Sequence, residues 1–388
     1  MARRRLRTRV FEHAARPRTR GAGVDVWAVE DRRAQLVWTD LPPGAVRIDV
    51  GHRRLQLDHA GGPGAVELAD MAPATRTTVV VRGADGTTAR RRVATLPTPP
   101  GEELFRFATI NDLHLGRGEQ GLRGHLPHGN HESASHPLAT ARDAVAEALD
   151  WGAAMLVVKG DICDESHTWT WEQAAKLLAD VPVPVHLVPG NHDTGRLRSL
   201  EPEQGAARHG LALTRGVDHV DVPGLRVVLV DSADPGNGWG RVARHAERVA
   251  DLARDAHGGV FVAAHHQPQR FRVPLYWPHG IPAPDAHRFA EAVVAANPHA
   301  LASSGHTHRC RIRSVRGLPW SEVAATNHFP GVWAGYRVFE GGIMQVVRRT
   351  ADPGTLAWTE HTRDALGGVW ALWATGTRSD RCFTLDWT

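Results

Sequence analysis

Residues 154–164, Ala-Met-Leu-Val-Val-Lys-Gly-Asp-Ile-Cys-Asp, decide the fold. A short apolar run that stops at Gly160 and delivers a carboxylate, Asp161, reads as a strand buried on both faces, the type found in parallel sheets. The same pattern recurs on either side of it. "LFRFATI" (104–110) leads to Asp112 and His114, "VPVHLVPG" (183–190) to Asn191 and His192, "GVFVAAH" (259–265) to His265, and "HALASSG" (299–305) to His306 and His308. Helical patterns lie between these runs at "HPLATARDAVAEALDWG" (136–152) and "VARHAERVADLARDA" (242–256). Strands alternating with helices imply a layered α/β domain, whose functional edge lies at the C-terminal ends of its strands.

Each of those ends carries Asp, Asn or His. Oxygen and imidazole donors without thiolate suit Mn, Fe or Zn, and they exclude soft copper sites and purely oxygen-liganded calcium. The spacing of two in Asp112-x-His114 and His306-x-His308 would point both members of each pair the same way if the segments are extended. Taken singly, any of these residues could cap a turn. Together they make a complete donor set.

In that order, D-x-H, G-D-x-x-D, G-N-H-D, H and G-H-x-H resemble the calcineurin-like metallophosphoesterase superfamily over about residues 105–348. The resemblance implies a four-layer αββα sandwich and two metal ions. Asp112, His114, Asp161 and His308 would hold the first ion; Asp161, Asn191, His265 and His306 would hold the second. It also implies hydrolysis of a phosphoester by a metal-bridging hydroxide, with His192 as general acid and Asp164 orienting its imidazole. His265 is favoured over His266 as the ligand, which leaves His266 to face the pocket or a neighbouring loop. Asp193 would either cap the following turn or touch the chemistry.

Two departures from the family sharpen the expectation. Protein phosphatases follow G-D-x-x-D with an Arg that grips phosphate, whereas here Glu165 stands there, which favours a monoanionic diester over a dianionic monoester. The tyrosine ligand of purple acid phosphatases would fall at Asp164, so a ferric, coloured centre is not expected. The expected activity is therefore a phosphodiesterase. A phosphomonoesterase of the same mechanism, a nuclease and a catalytically silent metal-binding scaffold are the alternatives.

The remaining segments divide around this domain. Residues 1–23 form a basic leader expected to be disordered; residues 1–20 hold eight Arg against the single Glu12, so the basicity of the chain (net +4, pI near 9.4) belongs to this tail. Lysine occurs only at Lys159 and Lys176. A small phosphoester is accordingly the expected partner, and nucleic acid is not. Residues 24–100 alternate in short runs separated by Pro-Gly and Asp-Gly turns, as in a small β-sandwich resembling the fibronectin-like module that precedes purple acid phosphatase domains. Residues 101–349 make the catalytic domain, and the Trp-rich residues 350–388 are expected to be strand-rich. No run reaches the roughly 20 apolar residues of a membrane span, and no secretory segment follows the Arg-rich start, so a cytoplasmic location is expected. Cys163, Cys310 and Cys382 form no C-x-x-C pair, and their odd number argues against a disulfide scaffold.

Two long loops leave the functional edge. Residues 116–136 carry His125, His128, His131 and His136; residues 267–284 carry Tyr276 and Trp277. Exposed aromatics in a Pro-rich loop suit stacking on a base or aryl group. His131, Tyr276 and Trp277, with His266, are the candidate substrate contacts. The sequence leaves the oligomeric state open.

Overall fold

The computed structural model describes residues 23–117, 119–120, 126–127, 136–194, 200–272 and 277–387. The Arg-rich leader, His131 and Tyr276 lie outside the described residues. No helix among those described is long and apolar enough to cross a membrane.

Two six-stranded sheets build the catalytic domain. The first runs Val185–Val188, Leu156–Lys159, Glu103–Ile110, Val332–Phe339, Gly342–Arg349, Cys382–Asp386; its first three strands are parallel, and the hairpin on Gly341 continues it antiparallel. The second runs Val217–Val222, Leu225–Val230, Gly259–Ala264, Ala300–Ser304, Leu318–Glu322, Arg311–Val315, with a parallel centre. The strands Leu156–Lys159 and Gly259–Ala264 are buried along their whole length, as continuous apolar runs require.

Alternation along the strands explains the layering. Val227, Leu229, Phe261 and Ala263 join the core shared with the first sheet, while Val228, Val230, Val260 and Val262 join a second core with Val249, Leu252, Phe289 and Val293 from the helices Ala246–Arg254 and Ala283–Ala296. Between the sheets, Phe107 stacks on Tyr336 at 4.8 Å, and Phe261 meets both edge-on at 5.0 and 4.7 Å. The Tyr336 hydroxyl and Ser303 Oγ are 2.9 Å apart, which ties one sheet to the other. The helix His136–Asp150 turns Ala141, Ala144, Val145 and Ala148 inward over the first sheet, completing the helix, sheet, sheet, helix order.

Residues 25–94 form a three-stranded and a four-stranded sheet. They dock on the hairpin of the first catalytic sheet through charge: Arg337 pairs with Asp31, and Arg348 with Glu30 and Glu67, while Glu103 of the same catalytic sheet braces Arg337. Gln35 closes the seam with reciprocal bonds to the Arg349 carbonyl and amide, 2.7 and 3.0 Å.

The C-terminal segment corrects an expectation. Residues 350–388 are mostly helical, with helices at Pro353–Arg363, Val369–Thr375 and Arg378–Arg381 and one strand, Cys382–Asp386, on the edge of the first sheet. Their Trp and Thr content favours strands, but the start signal is helical: the Asp352 carboxylate accepts the Gly354 and Thr355 amides, and Pro353 takes the first helical position. Buried Thr355, Leu356, Trp358, Thr359 and Thr362 then repeat at helical spacing. All three cysteines are buried free thiols.

Candidate metal centre

The expected ligands converge at the C-terminal ends of strands from both sheets. Asp112, His114, Asp161 and His308 present donor atoms within 4.8 Å of one another, and His265, His266 and His306 form a second such group. The two are joined by Asp161: its Oδ2 lies 3.6 Å from His114 Nε2 and its Oδ1 3.3 Å from His265 Nε2.

Their same-side placement does not come from extended backbone. Asp112, His114, Asp161, His306 and His308 all adopt left-handed φ values, between 46° and 64°, and they make up five of the eight non-glycine residues that do so among those described. Such backbone costs on the order of 1 kcal/mol or more per residue and persists only where the surroundings hold it. Here they do: the Asp112 amide donates to the Gly160 carbonyl (3.1 Å), the His114 amide to the Asp161 carbonyl (2.9 Å), and the His306 amide to the Asp112 carboxylate (3.1 Å). The glycines of the motifs answer close approach. A Cβ on Gly190 would collide with the Asp161 carboxylate, and one on Gly305 with that of Asp112.

Hydrogen-bond partners assign the imidazole tautomers. His328 donates from Nδ1 to the Phe329 carbonyl (3.0 Å), so its Nε2 accepts from His308 Nδ1 (2.6 Å), which leaves His308 Nε2 with a lone pair. His114 Nδ1 faces the Asp164 carboxylate (3.2 Å), so its Nε2 is also a lone pair, 3.3 Å from that of His308. In the second group, His265 donates from Nδ1 to the Lys159 carbonyl (2.8 Å) and His306 from Nε2 to the His279 carbonyl (3.1 Å). The free nitrogens, His265 Nε2 and His306 Nδ1, face each other at 3.2 Å. These opposed nitrogens beside Asp112 and Asp161 call for positive charge between them: burial would depress His265, but the Asp161 charge and hydrogen bond, 3.3 Å from its Nε2, raise it to about 9, and a metal ion would take the place of that proton. The buried Oδ1 of Asn191 has no hydrogen-bond partner among the described residues, which a ligand oxygen would lack until its ion arrives. These residues fit two metal ions.

Electrostatics separate the rings. Burial, then the nearby Arg117 charge, pushes His114 down to about 4; burial and the His265 charge push His306 down to about 3, so both rings are neutral donors at pH 7. Burial would raise Asp161, but the His265 and His192 charges hold it well below the carboxylate range.

His192 differs from its neighbours. Burial would depress it, but the Asp161 charge and the hydrogen bond and charge of Asp164 raise it to about 9. Its Nδ1 donates to the Asp164 carbonyl (2.9 Å) with the Asp164 carboxylate at 3.2 Å. Asp164 thus contacts both His192 and the ligand candidate His114.

Other expectations land differently. His266 is fully buried, with Ser232 Oγ 2.9 Å from its Nδ1, and packs on His265 and His306; its Nε2 has no hydrogen-bond partner among the described residues. Asp193 accepts the Ile162, Cys163 and Gly190 amides and braces the loops instead of touching the chemistry. Glu165 pairs with His167 at 3.0 Å, and Arg117 stands 3.5 Å from Asp164, so the charge beside Asp164 is not simply negative. His136 opens a helix and stacks on Trp358 at 4.0 Å. Trp277 is 69% exposed.

Sequence reasoning missed His328, which sits in no motif, and three indoles of the C-terminal segment. Trp358 donates to the Asn327 carbonyl (2.9 Å), Trp370 to that of Phe329 (3.0 Å) and Trp373 to that of Thr307 (3.0 Å), so the segment anchors the loops that carry His306, His308 and His328.

A family model described as calcineurin-like phosphoesterase matches residues 105–310. A probable cyclic nucleotide phosphodiesterase of Rhodococcus erythropolis is 28% identical over 181 residues, covering 44% of this chain and 56% of the relative. The chain therefore spans little more than half the length of that relative. Among solved structures, a purple acid phosphatase from yellow lupin (Lupinus luteus) seeds is similar at 14% identity, 84% coverage of this chain and 72% of the other, with a TM-score of 0.44. A dimetal phosphatase from Danio rerio is similar at 15% identity, 64% and 97% coverage, and a TM-score of 0.42.

Proposed function

The chain belongs to the calcineurin-like phosphoesterase family, and from that premise we propose that it is a metal-dependent hydrolase of small phosphodiesters. The observation that carries the reading is the pairing of His192 with Asp164 beside the converged donors. Asp112, His114, Asp161 and His308 would hold one ion, and Asp161, Asn191, His265 and His306 the other. When bound, such ions acidify water and neutralise phosphoryl charge.

The chain's own residues do the rest. With Nδ1–H committed to Asp164, whose carboxylate at 3.2 Å favours the protonated ring, His192 has Nε2 free to hold a proton toward the leaving oxygen and suits a general acid. Asp164 fixes the ring orientation and stabilises the imidazolium. The name of the Rhodococcus relative supports a diester substrate. One feature favours a monoester instead: the Arg117 guanidinium near Asp164 could meet a dianion.

Turnover of bis(p-nitrophenyl) phosphate against p-nitrophenyl phosphate, with added Mn²⁺, tests the proposal. Faster hydrolysis of the diester is expected. The reverse order would establish the monoesterase, and no turnover of either with two metals bound would establish a silent scaffold.

A further inference from the structure

Next to the metal centre lies a cleft of about 190 Å³ lined by Arg270, Arg309, Arg311, Arg313, Trp277 and Trp373. It shares walls with the centre. Arg309 follows His308 directly, Trp373 donates to the Thr307 carbonyl between His306 and His308, and the cleft residue Pro278 precedes His279, whose carbonyl accepts from His306.

Its charge is unbalanced. Arg309 and Arg313 both pair with Glu322, at 2.9 and 3.2 Å, and that carboxylate is fully buried. Arg270 and Arg311 have no acidic partner among the described residues, so four guanidiniums surround one carboxylate. Arg313 Nε is buried with no hydrogen-bond partner among those residues. Like charges gathered in a partly dry recess are costly unless an anion joins them, and such a recess concentrates anions. Planar surface is present as well: Trp373 lies against the Arg309 guanidinium at 4.2 Å, and exposed Trp277 stands at the rim.

The volume decides what kind of anion fits. Pockets for whole small ligands run to roughly 300–1,000 Å³, so this cleft suits part of a molecule and is too small for a strand of nucleic acid. We propose that the cleft binds the distal portion of a small diester substrate whose scissile phosphoryl group lies at the metal centre, and that this portion carries a second phosphate next to a planar ring, so that a nucleoside bisphosphate mimics the product half without being a substrate. The inference rests on the phosphoesterase reading and adds the substrate class to it.

Calorimetric titration of the Mn²⁺-loaded full chain with adenosine 3′,5′-bisphosphate, adenosine 5′-monophosphate and inorganic phosphate tests it without turnover. The bisphosphate should bind at least about tenfold more tightly than the monophosphate, the scale of one added charge-assisted contact. In R270Q/R311Q that advantage should fall below about threefold, again on the scale of one such contact. Arg270 is exposed and Arg311 partly so, and a thermal melt checks that the variant folds. W277A, a second variant, should weaken both nucleotides relative to inorganic phosphate. Equal affinity of the two nucleotides for the wild type, or an advantage retained in R270Q/R311Q, overturns the proposal. Hydrolysis of bis(p-nitrophenyl) phosphate is scored separately: turnover without a bisphosphate advantage removes the cleft alone, and the advantage without turnover removes hydrolysis alone.

Discussion

His308 Nδ1 lies 2.6 Å from His328 Nε2, and His328 is anchored in turn to the Phe329 carbonyl, so a histidine fixes which nitrogen of a ligand histidine carries the proton. Removing that partner leaves His308 free to take the other tautomer. His328→Ala should weaken metal binding about 10–100-fold, as loss of a ligand's hydrogen-bond partner does. His328→Gln, whose carbonyl oxygen can accept from His308, should restore part of it. Competition titration with a chelating dye measures both, and unchanged affinity in His328→Ala would remove the residue from this role.

His192→Ala should keep both metals and lose about 10²–10⁴ in turnover. The loss should be greater for a phenyl ester than for a p-nitrophenyl ester, because the poorer leaving group needs the proton more. Equal losses on the two esters would mean that His192 does not protonate the leaving oxygen.

The charged seam between the N-terminal sheets and the catalytic hairpin should open in acid. Burial would raise Asp31 and Glu103, but their hydrogen bonds, from Thr98 and Arg337 for Asp31 and from Arg106 and Arg337 for Glu103, hold both below the usual range. With folded values depressed, their contribution is complete above the unfolded values of about 4 and is lost as pH falls through the folded ones. Trp151, whose indole donates to Glu30 at 3.0 Å, should report the opening by fluorescence. At neutral pH Arg337→Met should cost about 3–5 kcal/mol, since it strands buried carboxylates. A denaturation midpoint independent of pH between 3 and 7 would contradict the first expectation, and an unchanged midpoint in Arg337→Met at pH 7 the second.

Trp373→Phe removes the donor to the Thr307 carbonyl while keeping most of the ring. About 1 kcal/mol of stability should be lost, with a measurable fall in metal affinity because Thr307 lies between two ligand candidates. Lost stability with metal affinity intact would make Trp373 a packing residue only.

The layered fold and the donor set were legible because each depends on local pattern: a buried apolar run, a glycine, then a polar residue at a strand end. His328 and the indoles of Trp358, Trp370 and Trp373 were not, because their roles lie in contacts between segments distant in sequence, and no spacing records such contacts. The helix beginning at Pro353 was misread for another reason. Its tryptophan content points to strands, whereas the Asp-Pro cap and the three-and-four spacing of its buried residues decide for a helix. The left-handed backbone at Asp112 and His114 was likewise hidden, since a spacing of two is compatible with both a pleated strand and a looped turn.

The three indole anchors make the catalytic domain indivisible in a way its family-matched segment is not. Residues 105–310 cut out alone would contain every ligand candidate, yet they would lack three strands of the first sheet, His328 and the indole tethers of Trp358, Trp370 and Trp373. A graft of this centre onto another scaffold would have to carry the downstream hairpin and the helical tail along with it. Recombination between relatives within this region should therefore yield chains with the right side chains and no centre.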